Sequence, residues 1–364
     1  MHILLATGIY PPDIGGPATY AEKLAQEFLN LGHTVTVVTY GSVRPNASER
    51  ERLTVIPVSK VGSVLSRWFR YSRALRKYGS DADVMIAFSS VSTGVPLMFS
   101  GLKKPKKILR LGGDFFWERY TDGGGMKSLS DWYRSVCGFW RIVNFTFMAG
   151  ILRSFDALVY STEFQKFIHE KEYAGLPKST VIENARPTCA PNSGASVGRP
   201  HQPFRLLFMG RFVGFKNLLA LLDAIVNMPN VTLTLVGSGP MEQALRAKTT
   251  ALNLGSRVRF QAPVSGEEKS RVFAEHDLLI LPSVTEISPN TALEAAAEGL
   301  PVLLTTETGL SGSGMICLKP LRLASQIASA IRECIEHPVS TSNDVQVRTY
   351  AKVAQDWMQF FSSL

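Results

Sequence analysis

Three aspartates in this chain each open a short run with almost no polar residue in it: Asp83-Val-Met-Ile-Ala-Phe, Asp156-Ala-Leu-Val-Tyr and Asp277-Leu-Leu-Ile-Leu-Pro. Apolar runs this short, without polar alternation, read as buried strands. Helix-like patterns stand between them. Residues 2–7 form a first apolar run, followed by Gly15-Gly16-Pro17 and a helical pattern over 18–31. Gly32-His33 ends that pattern, and TVTVVT over 34–39 is strand-like again. Strand and helix in alternation predict an α/β fold, a parallel sheet covered by helices.

A chain of 364 residues is long for one core, so two domains are expected. Residues 187–203, PTCAPNSGASVGRPHQP, are rich in Pro, Ser, Gly and Ala and read as a linker. The pattern then restarts, with strands over 205–209, 231–236 and 258–260 and helices over 217–228 and 241–254. The expected domains are residues 1–190 and 203–344. In the last segment, 345–364, Tyr350, Val353, Trp357 and Phe360 are spaced for one helical face.

Hydrophobic content of 45% with 19% charged residues describes a globular chain. Cys137, Cys189, Cys317 and Cys334 are scattered without metal-type spacing, which fits reduced thiols in the cytoplasm. Residues 1–7 already read as a strand, so no leader is expected. Charge is unevenly placed. Residues 1–200 hold 25 Lys and Arg against 16 Asp and Glu, whereas 201–364 hold 14 of each. One half therefore carries a positive field.

Candidate chemistry gathers at the predicted strand ends, where open α/β sheets bind ligands. Gly210-Arg211 follows one strand, with Lys216 five residues on. Two cations there suit a diphosphate, Arg as a fork and Lys as a point charge, or they are a solvated basic loop. Val236-Gly237-Ser238-Gly239-Pro240 follows the next strand and allows close backbone approach. Glu242 stands where a dinucleotide fingerprint needs its third glycine. Glu286 and Glu294 frame the third segment, TEISPNTALEAAAEGLPVLLT. A carboxylate before a helix start and another one turn inside can hold a polyhydroxylated ligand whose phosphates meet the free N–H groups of the helix. Glutamates on a solvated helix face show the same spacing. Gly15-Gly16 follows the opening strand and starts a helix, as a tight turn does. Asp114 follows the apolar run 108–111, where a helix cap would stand.

Taken in order, these segments resemble the G-R-x4-K, V-G-x-G-P and E-x7-E elements of retaining glycosyltransferases of family 4. That family has the GT-B fold, two Rossmann-like domains facing across a cleft. The resemblance covers about residues 205–310 strongly and the N-terminal half more loosely. It implies that the final helix crosses back onto the N-terminal domain. It implies that Glu294 holds the ribose hydroxyls of a nucleoside-diphosphate sugar, and Glu286 those of the transferred sugar. The backbone of Ile287, Ser288, Pro289, Asn290 and Thr291 is placed against the phosphates, with Gly210, Gly237 and Gly239 nearby and Gly15-Gly16 approaching from the other domain. Asp114 falls near the reacting sugar, with Glu118 a second choice. Where the family commonly has Gly-Phe after the first glutamate, this chain has Ile287-Ser288, which leaves the shape of the sugar pocket open. The implied enzyme uses no metal and no cofactor beyond its donor substrate.

Asp81-Ala82-Asp83 fits a metal-binding D-x-D, but it precedes a strand, the wrong end of a sheet for ligands. No cluster suggests zinc. Along residues 61–78, at about 100° per residue, Val61, Val64, Leu65, Trp68, Tyr71 and Leu75 share one side, and Arg67, Arg70, Arg73, Arg76 and Lys77 the other. Lys103, Lys104, Lys106 and Lys107 add a second basic cluster. Such a helix suits an anionic membrane surface or a solvated cover on a sheet. No nucleic-acid motif accompanies the charge. Residues 136–152 are the most apolar stretch, read as a core or acceptor-side helix or a membrane-inserted one, too short for a comfortable span.

These features imply a cytoplasmic hexosyltransferase, peripheral at the inner membrane face, acting on a lipid-linked or membrane-borne glycan. Two rivals stand beside it: a sugar-nucleotide epimerase on the same fold, and a non-catalytic membrane-associated protein with a degenerate donor site.

Overall fold

The computed structural model describes residues 1–13, 15–41, 52–185, 200–310, 312, 315–337 and 348–364. The expected linker up to residue 199, Cys189, and residues 345–347 of the expected final helix lie outside the described residues. Among the described residues, thirteen strands form two sheets. The first holds β1 (His2–Thr7), β2 (Thr34–Tyr40), β3 (Leu53–Val58), β4 (Val84–Ala87), β5 (Lys106–Leu111), β6 (Ala157–Tyr160) and β7 (Lys178–Val181). Its order is β3-β2-β1-β4-β5-β6-β7. The second holds β8 (Phe204–Met209), β9 (Val231–Val236), β10 (Val258–Gln261), β11 (Leu278–Leu281), β12 (Val302–Thr305) and β13 (Ile316–Lys319), in the order β10-β9-β8-β11-β12-β13. Every pairing is parallel. Both sheets are doubly wound, and strand order reverses between β1 and β4 and between β8 and β11.

The three aspartates that precede apolar runs share one task. Asp83 takes the backbone N–H of His2 at 2.8 Å, Asp156 that of Lys107 at 2.7 Å, and Asp277 that of Arg205 at 2.7 Å. In each case the aspartate's own N–H returns to the carbonyl of the same residue, at 2.9 Å. A carboxylate thus extends the ladder by one bond beyond the strand and fixes where two parallel strands begin relative to each other. Asp83 of the D-x-D is engaged in this way. Among the described residues, no three His, Cys, Asp or Glu side chains come together to hold a metal ion.

The chain divides into two compact units. The first comprises Met1–Phe116, Ser135–Ala185 and Thr349–Leu364, the second Trp117–Arg134 and Arg186–Arg348. Residues 117–134, expected in the first domain, therefore pack with the second. The helix Phe115–Asp122 passes from one unit into the other.

In the first unit, helix Gly16–Asn30 and the final helix Tyr350–Phe361 pack together on one sheet face. The indole of the fully buried Trp357 donates to the Tyr20 hydroxyl at 3.1 Å, and Phe361 meets Phe28. The last helix therefore does return to the N-terminal domain.

The opposite face is covered by helix Val64–Gly79, the Ser90–Gly94 turn and, against that turn, helix Gly138–Arg153. The expected apolar side of residues 61–78 splits in two. Tyr71 and Leu75 are fully buried, and the Tyr71 hydroxyl donates to the Val38 carbonyl at 2.6 Å, with the Thr7 carbonyl at 3.0 Å as the alternative acceptor. That burial holds the phenol well above its ordinary pKa. Val61, Leu65 and the unassigned Phe69 instead face solvent, at 77%, 73% and 69% exposure. Helix Gly138–Arg153 buries Met148, Ile151 and Leu152 and exposes Phe139 and Ile142. No helix among the described residues is long and apolar enough to cross a membrane.

Asp277→Ala removes a charged acceptor that serves Arg205 and, at 3.1 Å, the N–H of His201. The expected loss is about 1.5–3 kcal/mol of stability, read as a lower urea midpoint. A shift below about 0.5 kcal/mol, the ordinary range for a surface change, would show that the aspartates do not set the register.

Candidate functional site

The two strands beside the reversal point of the second sheet, β8 and β11, bring the candidate residues together. After β8 the chain runs through Gly210 and Arg211 to the turn Gly214–Lys216. After β11 it runs through Ser283 to Glu286. Val284 N–H donates to the Phe215 carbonyl at 2.7 Å, which fastens the two loops.

The Lys216 ammonium and the Ser283 hydroxyl, the latter at 2.5 Å, both donate to Oε1 of Glu286. Glu286 is only 5% exposed, and no described residue bonds its Oε2. Its main chain is held as well, with N–H to the Glu307 carbonyl at 2.9 Å and a bridge to Thr308. One carboxylate oxygen is thus fixed by two donors, while the other carries no bond from a described residue. Arg211 is exposed, and among the described residues it has no ion-pair partner.

Beyond Glu286, Ile287 is buried and Pro289 precedes helix Asn290–Ala297. The first turn of that helix, Asn290 to Leu293, carries no acidic residue. Its positive end thus carries no carboxylate of its own. Glu294 lies one turn inside, paired with Lys269 of helix Gly266–Ala274.

Gly237 and Gly239 answer first to the chain's own backbone. A Cβ on Gly237 would stand 1.9 Å from the Gly210 carbonyl oxygen, and one on Gly239 2.5 Å from that of Phe212. Phe212 N–H reaches the Ser238 carbonyl at 2.9 Å. These glycines let the loop after β9 nest against the loop that carries Arg211 and Lys216.

Residues 117–134 form a strap over the same loops, unmarked by any sequence pattern. Trp117 packs on Phe215 at 5.2 Å. The N–H groups of Leu129 and Ser130 donate to Thr285 Oγ1 and Glu307 Oε1, both at 2.9 Å. Asp131 pairs with Arg322 at 3.1 Å. Its carboxyl sits below the usual range, first through the Ser128 hydroxyl and then through Arg322 and Arg134.

Asp114 and the Gly15-Gly16 corner belong to the first unit. Gly15 precedes helix Gly16–Asn30 at its N-terminus. Asp114 is 3% exposed and bonds His169 Nε2 at 3.2 Å, while Gln165 Nε2 donates to the Gly113 carbonyl at 2.8 Å. The loop after β5 is thus tied to helix Glu163–Glu172. Arg110, also buried, lays its guanidinium over the Tyr20 ring at 3.9 Å and donates to Asn184. His169, Gln165, Ser283, Lys269 and, apart from Glu118, the strap were not singled out from the sequence; Glu118 falls with the strap in the second unit. Ser283 is the one with a usable signal, a hydroxyl just past a strand end and three residues before Glu286.

Lys216→Met strands a carboxylate in this buried setting. The expected loss is about 3 kcal/mol, and Lys216→Met with Glu286→Gln recovers most of it. Chemical denaturation of both variants measures this. Equal stability of the two would show that Lys216 and Glu286 are not coupled.

Residues 203–337 match the family model of glycosyl transferases group 1. The lipopolysaccharide core biosynthesis glycosyltransferase LpsE of Rhizobium meliloti is 34% identical over 116 residues, 32% of this chain and 33% of that protein. The chain spans about a third of the length of the leading curated relatives it matches. Among solved structures, sucrose-phosphate synthase from Thermosynechococcus elongatus superposes with a TM-score of 0.81 at 16% identity, covering 100% of this chain and 98% of that one. The Anabaena protein HepE in complex with UDP-glucose superposes with a TM-score of 0.76 at 16% identity, covering 100% of both chains. The second unit thus carries the sequence pattern of group 1 glycosyl transferases, and the chain as a whole has the two-domain fold of solved GT-B glycosyltransferases.

Proposed function

We propose that this chain is a metal-independent, retaining glycosyltransferase of the family 4 type. It moves a hexose-type sugar from a nucleoside diphosphate to a lipid-linked or membrane-borne glycan. One observation carries the reading: Lys216 and Glu286 meet beside the reversal point of the second sheet, inside the segment that matches group 1 glycosyl transferases. The UDP-glucose bound by a neighbour of the same fold and the lipopolysaccharide role of a relative support the donor and acceptor classes.

The residues divide the work by charge. Negative charge develops on the leaving diphosphate as the glycosidic bond breaks. Arg211, Lys216 and the N-terminal end of helix Asn290–Ala297 face that charge. Glu286 uses its open oxygen to hold a hydroxyl of the transferred sugar, and Glu294 holds the ribose. No protein nucleophile is assigned. Asp114 shapes the loop after β5 on the acceptor side.

The membrane part of the reading rests on the first unit. Arg76 Nε donates to the Ser100 carbonyl at 2.7 Å, so the two basic clusters adjoin in one patch. In the same unit, Val61, Leu65, Phe69 and Phe99 face solvent, and so do Phe139 and Ile142 of helix Gly138–Arg153. Cations beside exposed aromatic and aliphatic side chains fit a peripheral site on an anionic, cytoplasmic leaflet.

Three measurements test this reading. Incubation with UDP-, GDP- and ADP-linked sugars, with and without lipid extract, should give transfer only when extract is present. An isomerised donor without acceptor would favour an epimerase, and no turnover at all a non-catalytic protein. EDTA should leave the rate unchanged, and loss restored by Mn²⁺ would overturn metal independence. Glu294→Gln should weaken nucleotide binding by about ten- to a hundredfold in calorimetry.

Arg70 and Arg76 hold backbone carbonyls, so a membrane variant should spare them. Arg73→Gln, Lys103→Gln and Lys104→Gln together with Leu65→Ser and Phe69→Ser should abolish co-sedimentation with anionic vesicles while sparing nucleotide binding. Each lost cation accounts for about 1 kcal/mol near the surface. Equal binding to neutral and anionic vesicles would mean that this helix only covers the sheet.

A further inference from the structure

Glu294 is held by a clasp between two helices. Lys269 on helix Gly266–Ala274 gives its ammonium to Oε2 of Glu294. The next residue, Ser270, donates to Oε1 of Glu298 at 2.9 Å. Glu294 and Glu298 stand one turn apart, so the two rungs fix the register of the helices. Lys269 and Glu294 are 24% and 26% exposed, enough to be reached by a ligand yet shielded from full screening. The Lys269 ammonium also lies 5.7 Å from the centre of the Phe273 ring, which confines its stem. No described residue bonds Oε1 of Glu294.

A glutamate on a helix face ordinarily samples several rotamers, and a ligand that needs one of them must meet the entropy of ordering it. Tying one oxygen removes most of that freedom before the ligand arrives. It also keeps a second carboxylate from adding uncompensated negative charge near a diphosphate.

We propose that Lys269 is a positioning residue for ribose recognition: it grips Oε2 of Glu294 and so aims Oε1 at the hydroxyls of the donor's ribose. The proposal rests on the donor-site reading of Glu294 given above. The opposite role is a latch, in which Lys269 occupies the carboxylate and the ribose must break the pair. The two roles predict opposite signs.

The test is calorimetry on the full chain with UDP, GDP and ADP, carrying forward the tightest binder and its 2′,3′-dideoxy analogue. Lys269→Met should weaken the ribonucleotide by about tenfold, the scale of one charge-assisted hydrogen bond. It should leave the dideoxy analogue unchanged and should have no further effect in a Glu294→Gln background. Lys269→Arg, which retains the charge, should stay within about threefold of the parent. Thermal melting of each variant establishes that it is folded.

If Lys269→Met leaves the ribonucleotide unchanged, tightens it, or weakens the dideoxy analogue equally, the positioning role is overturned. The donor-site reading stands in that case, provided Glu294→Gln still weakens binding. If Glu294→Gln has no effect, or none of the three nucleotides binds the parent, the donor-site reading itself falls and the proposal falls with it.

Discussion

Three parallel strand pairs, one of them at each sheet's reversal point, are pinned in register here by carboxylates rather than by turns. Antiparallel strands joined by a hairpin inherit their alignment from the loop, but parallel strands are joined by long crossovers that carry no such information. Asp83, Asp156 and Asp277 supply it by taking one more backbone N–H from a neighbouring strand. Because all strands of a sheet run the same way, aligning their starts also aligns their ends. The loops after β8 and β11 leave the second sheet side by side for this reason, and Lys216 reaches Glu286 across that gap. A register error of one residue would reverse the faces of β11 and carry Ser283 and Glu286 away from the lysine.

Above that alignment, the site depends on a buried charge. Glu286 sits where a carboxylate is costly unless paired, and the cation and hydroxyl on one oxygen meet that cost. Glu286 has more partners than Glu294, which is 26% exposed on a helix and relies on a single ammonium. The loops that support Lys216 approach so closely that Gly237 cannot carry a side chain. The strap of residues 117–134 then rests on Phe215, Thr285 and Glu307, so the site is built from three stretches far apart in the chain.

Much of this was legible in the sequence. β1 and β9 fall on the residues that apolar runs marked, because buried parallel strands have a composition that little else imitates. The sequence placed Lys216 and Glu286 at two strand ends, but it gave one to a diphosphate and the other to a sugar hydroxyl, and their pairing shows only in the fold. Other features carried no such mark. Residues 117–134 have the composition of any surface helix and loop, and only the tertiary fold assigns them to the second unit. The helical wheel over 61–78 placed Leu65 with Tyr71, but a helix lying obliquely on a sheet buries only the part of its stripe that touches. Val61 and Leu65 fall beyond that contact. Gly237 and Gly239 signalled a close approach correctly, but a glycine does not say whether its neighbour is a ligand or the chain's own backbone. Lys269 lies among charged residues of which nothing distinguishes it until its partner is seen.

The return of helix Tyr350–Phe361 has a bearing on how the protein is made. Trp357 is fully buried against Tyr20, so the core of the first unit is closed by residues synthesised after everything else described here. While the ribosome still holds that helix, Tyr20, Phe28 and their neighbours on helix Gly16–Asn30 lack their cover. The second unit, by contrast, draws its last strand and helix from residues up to 336 and can complete its packing first. The amino-terminal core thus lacks one of its own parts at a point in translation when the carboxy-terminal core has all of its strands. Over that interval Tyr20 and Phe28 present an uncovered aromatic surface of the kind that folding helpers bind.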